Sequence, residues 1–387
     1  MSVSVYIKQN PVTKRKIDSK YIKGLTKAEK LHFGVFNQVH CYREYNGDED
    51  VRNQPLILFN QSRYGRGFIL QIDDDYNLEL TLNIPSTQND INDFYLFIKL
   101  FCIAFKIKTI WQEGIEYKTD QIDELKQDVE IVNRKNLKDV NEGLTIFGCI
   151  YPIVLEKEFI DQIQILNEEQ SLRYFGSYLD KKQKLDCYYA VPLVYEKNNG
   201  KYFVSYALTE NVPSILPLKP YLPFGYNQSL KEIDEWKVAI LEDRDNALKL
   251  SIEIPFDDFY KLLDPKKSVK FDAKNIIVIV NKDLLQSIED YKIKKYKKDL
   301  EEWLVDIREL GHKPFKIEYT NSFEDEKGVK CYIFKYKKSM LSKWFLGIVS
   351  DIGIFSKINE EYRKDTEITD AKSTLNLLSE IREKYNK

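Results

Sequence analysis

The stretch NQSRYGRGFIL, residues 60–70, sets Arg63 and Arg66 around Tyr64, with Gly65 and Gly67 two residues apart. Guanidinium groups beside permissive glycines could grip a phosphate or a nucleic acid, and the same residues also suit a tight turn between strands. A dinucleotide-binding loop needs a third glycine and a helix behind it. Here Leu70 holds the third position and FILQI continues as a strand, so no helix N-terminus faces the phosphate. GLTIFGCI repeats the glycine spacing of a P-loop from Gly143 to Gly148, but Cys149 and Ile150 stand where lysine and a hydroxyl residue must hold phosphate and magnesium.

Other chemistry has few footholds. The sequence contains neither G-x-S-x-G nor H-E-x-x-H, and its histidines are His32, His40 and His312. His32, His40 and Cys41 lie close in sequence, but no second pair completes a tetrahedral metal set, so neither metal nor cofactor is expected. Glu116 and Lys118 form an E-x-K pair with Asp90 or Asp93 upstream, half of a metal-dependent nuclease pattern that a lysine-rich chain produces by chance. Asp73, Asp74 and Asp75 read as a solvated turn, and Asp257 and Asp258 as the acidic first turn of a helix. The run Lys292, Lys294, Lys295, Lys297 and Lys298 is followed by Asp299, Glu301 and Glu302, which favours a solvated helix face over a nucleic-acid patch. No catalytic residue is assigned; the candidate binding residues are Arg63, Tyr64, Gly65 and Arg66.

The elements that must position these residues follow from patterning. SVSVYI and YNLELTLNI alternate as strands, PLILF and RGFILQI read as strands beside them, and Pro85 ends the last. Ser86 or Thr87 then caps a helix with Asp90 and Asp93 in its first turn. A short helix is expected to start at Thr26, with Glu29 completing a capping box, and another over DQIDELKQDVEIVN. The polar stretch 133–143 reads as a boundary. A hairpin is expected from YYAVPLVYE to KYFVSYALTE around Asn198, Asn199 and Gly200. Pro213, Pro217, Pro220 and Pro223 then forbid helix and favour an extended strap.

A long amphipathic helix is expected from Asn281 to Leu310, with Gly311 as its stop. The strands FKIEYTNSF and VKCYIFKY and a closing helix over ITDAKSTLNLLSEIREKYNK follow. LTLNIPSTQNDINDFYLFIKL and LKLSIEIPFDDFYKLL both run from strand through Ile-Pro to Asp-Phe-Tyr on a helix, either a duplication or one capping solution reached twice. The fold class is therefore α+β, with mixed or antiparallel sheets and packed helices, in units 1–143, 144–281 and 282–387.

The 387 residues are 43% hydrophobic and 13% aromatic, enough for packed cores, and a net charge of -2 offers no global field to nucleic acid or membrane. Five scattered cysteines without a CxxC pair suit buried, reduced thiols. The start lacks the basic-then-apolar order of a signal peptide, and a cytoplasmic protein is expected. FYLFIKLFCIAFKIKTIW is apolar but short, and it carries Lys99, Lys106 and Lys108, so a buried helix is expected there instead of a membrane span.

RGFILQIDDDYNLELTLNIPSTQNDINDFYLFIK and VSYALTENVPSILPLKPYLPFG, with the MSVSVYI start, resemble the bacterial family called domain of unknown function 4299 over roughly the first 290 residues. The resemblance implies a soluble bacterial protein of unassigned activity, of the kind found beside polymorphic toxins or mobile elements, and it transfers no catalytic residues. The expected function is a non-catalytic protein-binding protein, such as an immunity or inhibitor protein that occludes a toxin or another effector. The abundance of tyrosine and phenylalanine supplies interface anchors. The alternative is an enzyme or binding protein for nucleic acid or nucleotides, motivated by Arg63, Tyr64 and Arg66. If the loop is an interface, replacing Arg63 and Arg66 with alanine is expected to weaken partner binding with folding nearly unchanged.

Overall fold

A computed structural model describes residues 1–355, apart from 12–13, 28–29, 38, 40, 48, 53, 197–199, 223–232, 245–246, 265–267, 307–312, 325–329, 343 and 351–352. The architecture is α+β. Contacts group the chain into two units, one of Met1–Leu193, Pro213–Ile233 and Lys266–Val278, the other of Val194–Val212, Asp234–Pro265 and Ile279 onward. The expected boundary near residue 143 falls inside the first unit.

That unit is built on a sheet of eight strands: β1 (Ser2–Ile7), β2 (Leu31–Asn37), β3 (Cys41–Glu44), β4 (Leu56–Asn60), β5 (Phe68–Ile72), β6 (Leu78–Asn83), β7 (Thr109–Gln112) and β8 (Ile115–Lys118). Their order is β3-β2-β4-β5-β6-β1-β7-β8, with every neighbouring pair antiparallel. Alternation sends Val3, Val5 and Ile7 of β1, Phe68, Leu70 and Ile72 of β5, and Leu78, Leu80 and Leu82 of β6 into one core. β4 is buried along its whole length. Leu56 and Leu58 join that core, while Ile57 and Phe59 form a second small cluster with Cys149, which explains why PLILF reads as a continuous apolar run.

The helices of this unit are α1 (Ser19–Lys27), α2 (Gln88–Phe105), α3 (Ile122–Lys138), α4 (Lys157–Ile165) and α5 (Glu168–Gln183). The first corrects the sequence expectation. α1 ends where a helix was expected to begin: Asp18 accepts the Tyr21 N–H at 2.8 Å near its start, and the Thr26 hydroxyl donates back to Ile22 O at 2.9 Å in its last turn. LHFGVF is strand β2, and the β-branched and aromatic alternation outweighs the cap-like Thr26. Glu29 lies outside the described residues.

α2 begins as expected, with Thr87 as N-cap in a capping box with Asp90, and it buries Phe94, Phe97, Ile98 and Phe101 against the sheet. α3 runs into the polar stretch that had marked a boundary and ends within it at Lys138. Its buried stripe Ile122, Leu125, Val129, Asn133 and Leu137 keeps helical spacing. Asn133 is fully buried because its amide completes Ser86: its Oδ1 accepts the Ser86 N–H at 2.7 Å and its Nδ2 donates to Ser86 O at 2.9 Å.

The rest of the first unit packs α4, α5 and the hairpin Thr145–Phe147/Pro152–Val154 around Phe159, Phe175, Leu179 and Phe271. Here the proline-rich strap is partly a strand. Ser214–Pro217 lies inside the sheet, parallel to Tyr188–Tyr189 and antiparallel to Asn275–Val278. Pro217 is its last residue, where a missing N–H costs no interior ladder bond. Pro223 lies outside the described residues.

The second unit holds the sheet Pro192–Glu196, Tyr202–Thr209, Ile233–Arg244 and Ala247–Pro255, followed by α6 (Phe256–Leu262). Its first two strands pair as the expected hairpin, with Gly200 at φ +75°. Both Ile-Pro segments are strand-to-helix junctions, but Thr87 caps α2 through its side chain, whereas Pro255 has no side-chain cap to offer α6. α7 (Lys282–Asp306) matches the expected long helix, while Ile307, Leu310 and Gly311 lie outside the described residues. It packs Tyr296, Leu300 and Leu304 against Ile317, Tyr332, Phe334 and Val349 of an antiparallel sheet, Lys316–Glu324, Lys330–Lys337, Trp344–Ser350 and Gly353–Phe355. Contact is close enough that a Cβ on Gly347 would stand 2.7 Å from a methyl of Leu300. The expected closing helix lies outside the described residues.

Replacing Asn133 with alanine leaves the buried N–H and C=O of Ser86 unpaired and should cost about 1–3 kcal/mol. A urea-unfolding midpoint that does not move for Asn133→Ala would refute this role.

Candidate functional site

The arginine-glycine stretch joins β4 to β5. Asn60 starts the turn, its Oδ1 accepting the Ser62 N–H at 3.0 Å and the Ser62 hydroxyl at 2.6 Å. Gly67 adopts φ +64°, and a Cβ there would meet Leu58 O at 2.4 Å. Gly65 is required for a different reason, because its missing Cβ is replaced by the Asp90 carboxylate, whose oxygens lie 2.4 and 2.6 Å from the Cβ position.

Asp90 clamps the loop to the start of α2. Its Oδ2 accepts from the backbone N–H of Arg66 at 3.0 Å, the Thr87 N–H at 3.1 Å and the Thr87 hydroxyl at 2.7 Å, and its Oδ1 accepts the Gly67 N–H at 2.9 Å. Burial pushes its carboxyl above the ordinary range, while these four donors pull it back toward the charged form. They also commit Asp90 to the loop and remove it from the E-x-K pattern of Glu116 and Lys118, both exposed on β8.

The two arginines of the loop have opposite surroundings. Arg66 is buried, donating from Nη1 to Pro85 O at 2.7 Å and from Nε to Phe147 O at 3.0 Å. Burial lowers its guanidinium to about 10, and the field of Asp90 opposes that shift. Arg63 is exposed and donates to Asn89 Oδ1 at 3.2 Å and Asp93 Oδ1 at 3.3 Å. Of the other two candidate residues, Gly65 is buried and its carbonyl accepts the Cys149 N–H at 3.1 Å, while Tyr64 donates its N–H to Asp180 of α5 at 2.8 Å. The Tyr64 ring packs on Phe59 and lies beneath the Lys184 ammonium. Three of the four candidates are thus tied into the fold, and Arg63 is the one whose side chain faces solvent.

Beside Arg63 opens a cleft of about 700 Å³ that sequence reading missed. The start of α2 supplies Thr87, Gln88 and Asn89, α3 supplies Arg134, and one face of α5 supplies Glu168, Glu169, Arg173, Gly176 and Ser177. Asn89, the partner of Arg63, is part of this lining, so Arg63 stands at the rim. Both signs of charge are present: Arg173 pairs with Glu169 at 3.2 Å, and Arg134 is 3.9 Å from Glu130. A Cβ on Gly176 would meet nothing within 4 Å, so packing does not require glycine there although it weakens a helix interior by about 1 kcal/mol relative to alanine.

The remaining expected groups are accounted for locally. His32 Nε2 is 2.8 Å from the Tyr42 hydroxyl, and burial lowers its pKa; His40 and His312 lie outside the described residues. Cys41, Cys102, Cys149 and Cys331 are buried free thiols, and burial pushes those of Cys41 and Cys149 upward. Among the described residues no three His, Cys, Asp or Glu side chains cluster as metal ligands, and no helix is long and apolar enough to cross a membrane.

These surroundings correct the expectation that both arginines can be removed with folding nearly intact. Arg66→Ala strips the Pro85 and Phe147 carbonyls of their donor inside the fold, which should cost about 1–3 kcal/mol. Arg63→Ala, which loses a half-exposed pair, should cost about 1 kcal/mol or less. Denaturant midpoints measured side by side test this, and equal small shifts for the two variants would refute the division of labour.

No curated protein and no solved structure matches the chain. A family model, domain of unknown function (DUF4299), matches residues 2–288, from the first strand of the eight-stranded sheet to the opening turns of α7. Its span includes the clamped loop, Asp90 and every residue lining the cleft, and the chain belongs to the DUF4299 family.

Proposed function

We propose that the protein is a non-catalytic protein-binding protein that receives a segment of its partner in the cleft between the start of α2 and the Gly176 face of α5. The observation that carries this reading is the mixed lining. Arg134 and Arg173 stand with Glu168 and Glu169, and Gln88, Asn89 and Ser177 fill in between. A polyanion would gain from the arginines and lose to the glutamates, whereas a polypeptide offers both charges and amide groups to match them. Arg63 at the rim is an exposed guanidinium next to this lining, the kind of group that anchors protein interfaces. The Gly176 and Ser177 face leaves room for a side chain of the partner.

An immunity or inhibitor protein that occludes a toxin or another effector is the specific form we propose. Binding by occlusion asks for a rigid, preformed surface, and the cleft stands on helix starts fixed by capping boxes at Thr87 and Asn167. The nucleic-acid or nucleotide alternative loses Arg66, which is spent on backbone carbonyls inside the fold, and keeps Arg63 and the lysine-rich run 292–298.

The test is capture from the native host with the full chain and with Gly176→Trp, which fills the cleft from an open helix surface and should leave the fold intact. A protein partner retained by the parent chain and weakened at least about tenfold by Gly176→Trp, and again by Arg134→Glu with Arg173→Glu, is the expected result. Salt-sensitive binding of short RNA or DNA that these changes do not alter, with no protein retained, would replace this reading with the nucleic-acid one.

A further inference from the structure

Beyond the family span, the last sheet of the second unit exposes Met340, Leu341 and Trp344 at one end. Alternation along Lys330–Lys337 divides its side chains. Tyr332, Phe334 and Tyr336 face α7, so Lys335 and Lys337 lie on the opposite face. The register sets Lys316, Lys337 and Trp344 in one row across three strands, at the end where the chain turns from Lys337 to Trp344. The ammonium groups of Lys316, Lys335 and Lys337 stand 5.9, 4.9 and 5.1 Å from the Trp344 ring, and that of Lys338 is 4.8 Å from the Phe345 ring.

One carboxylate moderates this charge: Glu318 pairs with Lys316 and, at 3.0 Å, with Lys335. Among the described residues, Lys337 and Lys338 have no carboxylate within ion-pair distance. Beyond the lysines the turn projects Met340, 70% exposed, and Leu341, 96% exposed. Phe315, exposed as well, is held at the same end by donating its N–H to Lys337 O at 2.9 Å.

Aliphatic side chains at a hairpin tip, an interfacial tryptophan and a collar of ammonium groups behind them match the layers of an anionic bilayer, with acyl chains at the tip and phosphates at the collar. We infer that the Lys337–Trp344 hairpin docks peripherally on an anionic membrane surface, with Met340 and Leu341 entering the acyl boundary and Lys337 and Lys338 meeting lipid phosphates. Nucleic acid fits the same lysines less well. It would stack on an open aromatic face, but three ammonium groups already surround the Trp344 ring, and it has no use for an exposed Met-Leu tip.

Cosedimentation of the full chain with phosphatidylcholine vesicles, with and without phosphatidylserine, tests the inference. Binding should require phosphatidylserine and weaken as salt rises. It should fall at least about tenfold in Met340→Ser with Leu341→Ser, and similarly in Lys337→Glu with Lys338→Glu. Met340 and Leu341 are exposed and Lys337 and Lys338 only half-buried, so the variants should unfold near the parent midpoint. The chain has four tryptophans; vesicles should shift the emission of the parent to shorter wavelength, and Trp344→Phe should abolish that shift. Folded protein that ignores phosphatidylserine vesicles, or binds them equally after the Met340 and Leu341 changes, overturns the inference. Binding of short RNA lost only on charge reversal, without vesicle binding, would also overturn it and assign the patch to nucleic acid.

Discussion

A single buried carboxylate organises the first unit. Asp90 satisfies backbone donors from two segments remote in sequence, the 65–67 loop and the cap of α2, and occupies the space that a Gly65 side chain would need. Arg66 answers from the same place, with its guanidinium bridging Pro85 and Phe147. Sheet, helix and the 147–149 hairpin therefore meet where every polar group near the junction has a partner, which is what makes burial of two charges tolerable. The second half of the unit repeats the device in smaller form. There, buried Asp272 accepts the N–H groups of Val154, Lys274 and Asn275 at 2.8–3.0 Å and ties the strand Pro152–Val154 to the turn before Asn275–Val278.

Rigidity at this junction bears on binding. The cleft is formed by residues that follow the Thr87 cap and by α5, and α5 is itself tied to the loop through Asp180 and Tyr64 N–H. Surfaces fixed in this way lose little conformational freedom when a partner arrives. The loop that looked like a ligand grip therefore acts one step back, shaping the wall of the cleft through Asp180 and the Thr87 cap and leaving only the Arg63 side chain exposed.

Much of the fold was legible because its cues are local. β1 and β6 announce themselves by alternation, β4 and β5 as apolar runs, α2 by Thr87 and Asp90, and the hairpin by Gly200. What was misread depends on partners distant in sequence. Asn133 looks like linker until its amide is seen completing Ser86, and Thr26 looks like a cap until Leu31, Phe33 and Val35 prove to be buried strand residues. α5 was overlooked although Asn167 and Gln170 form a capping box visible in the sequence. The candidate site was legible only at Arg63. A cleft is the product of three helices converging, and no spacing along one segment encodes it.

The edge of the family span, at residue 288, falls within α7 where no gap in packing occurs. Ile288 is buried at that point, and about two to four turns later Tyr296, Leu300 and Leu304 carry the last sheet. The C-terminal sheet is therefore packed on a helix that the family portion has already begun. α7 is thus shared by two packings, holding the sheet where Gly347 meets Leu300 and reaching α6 through the Tyr291–Asp258 hydrogen bond.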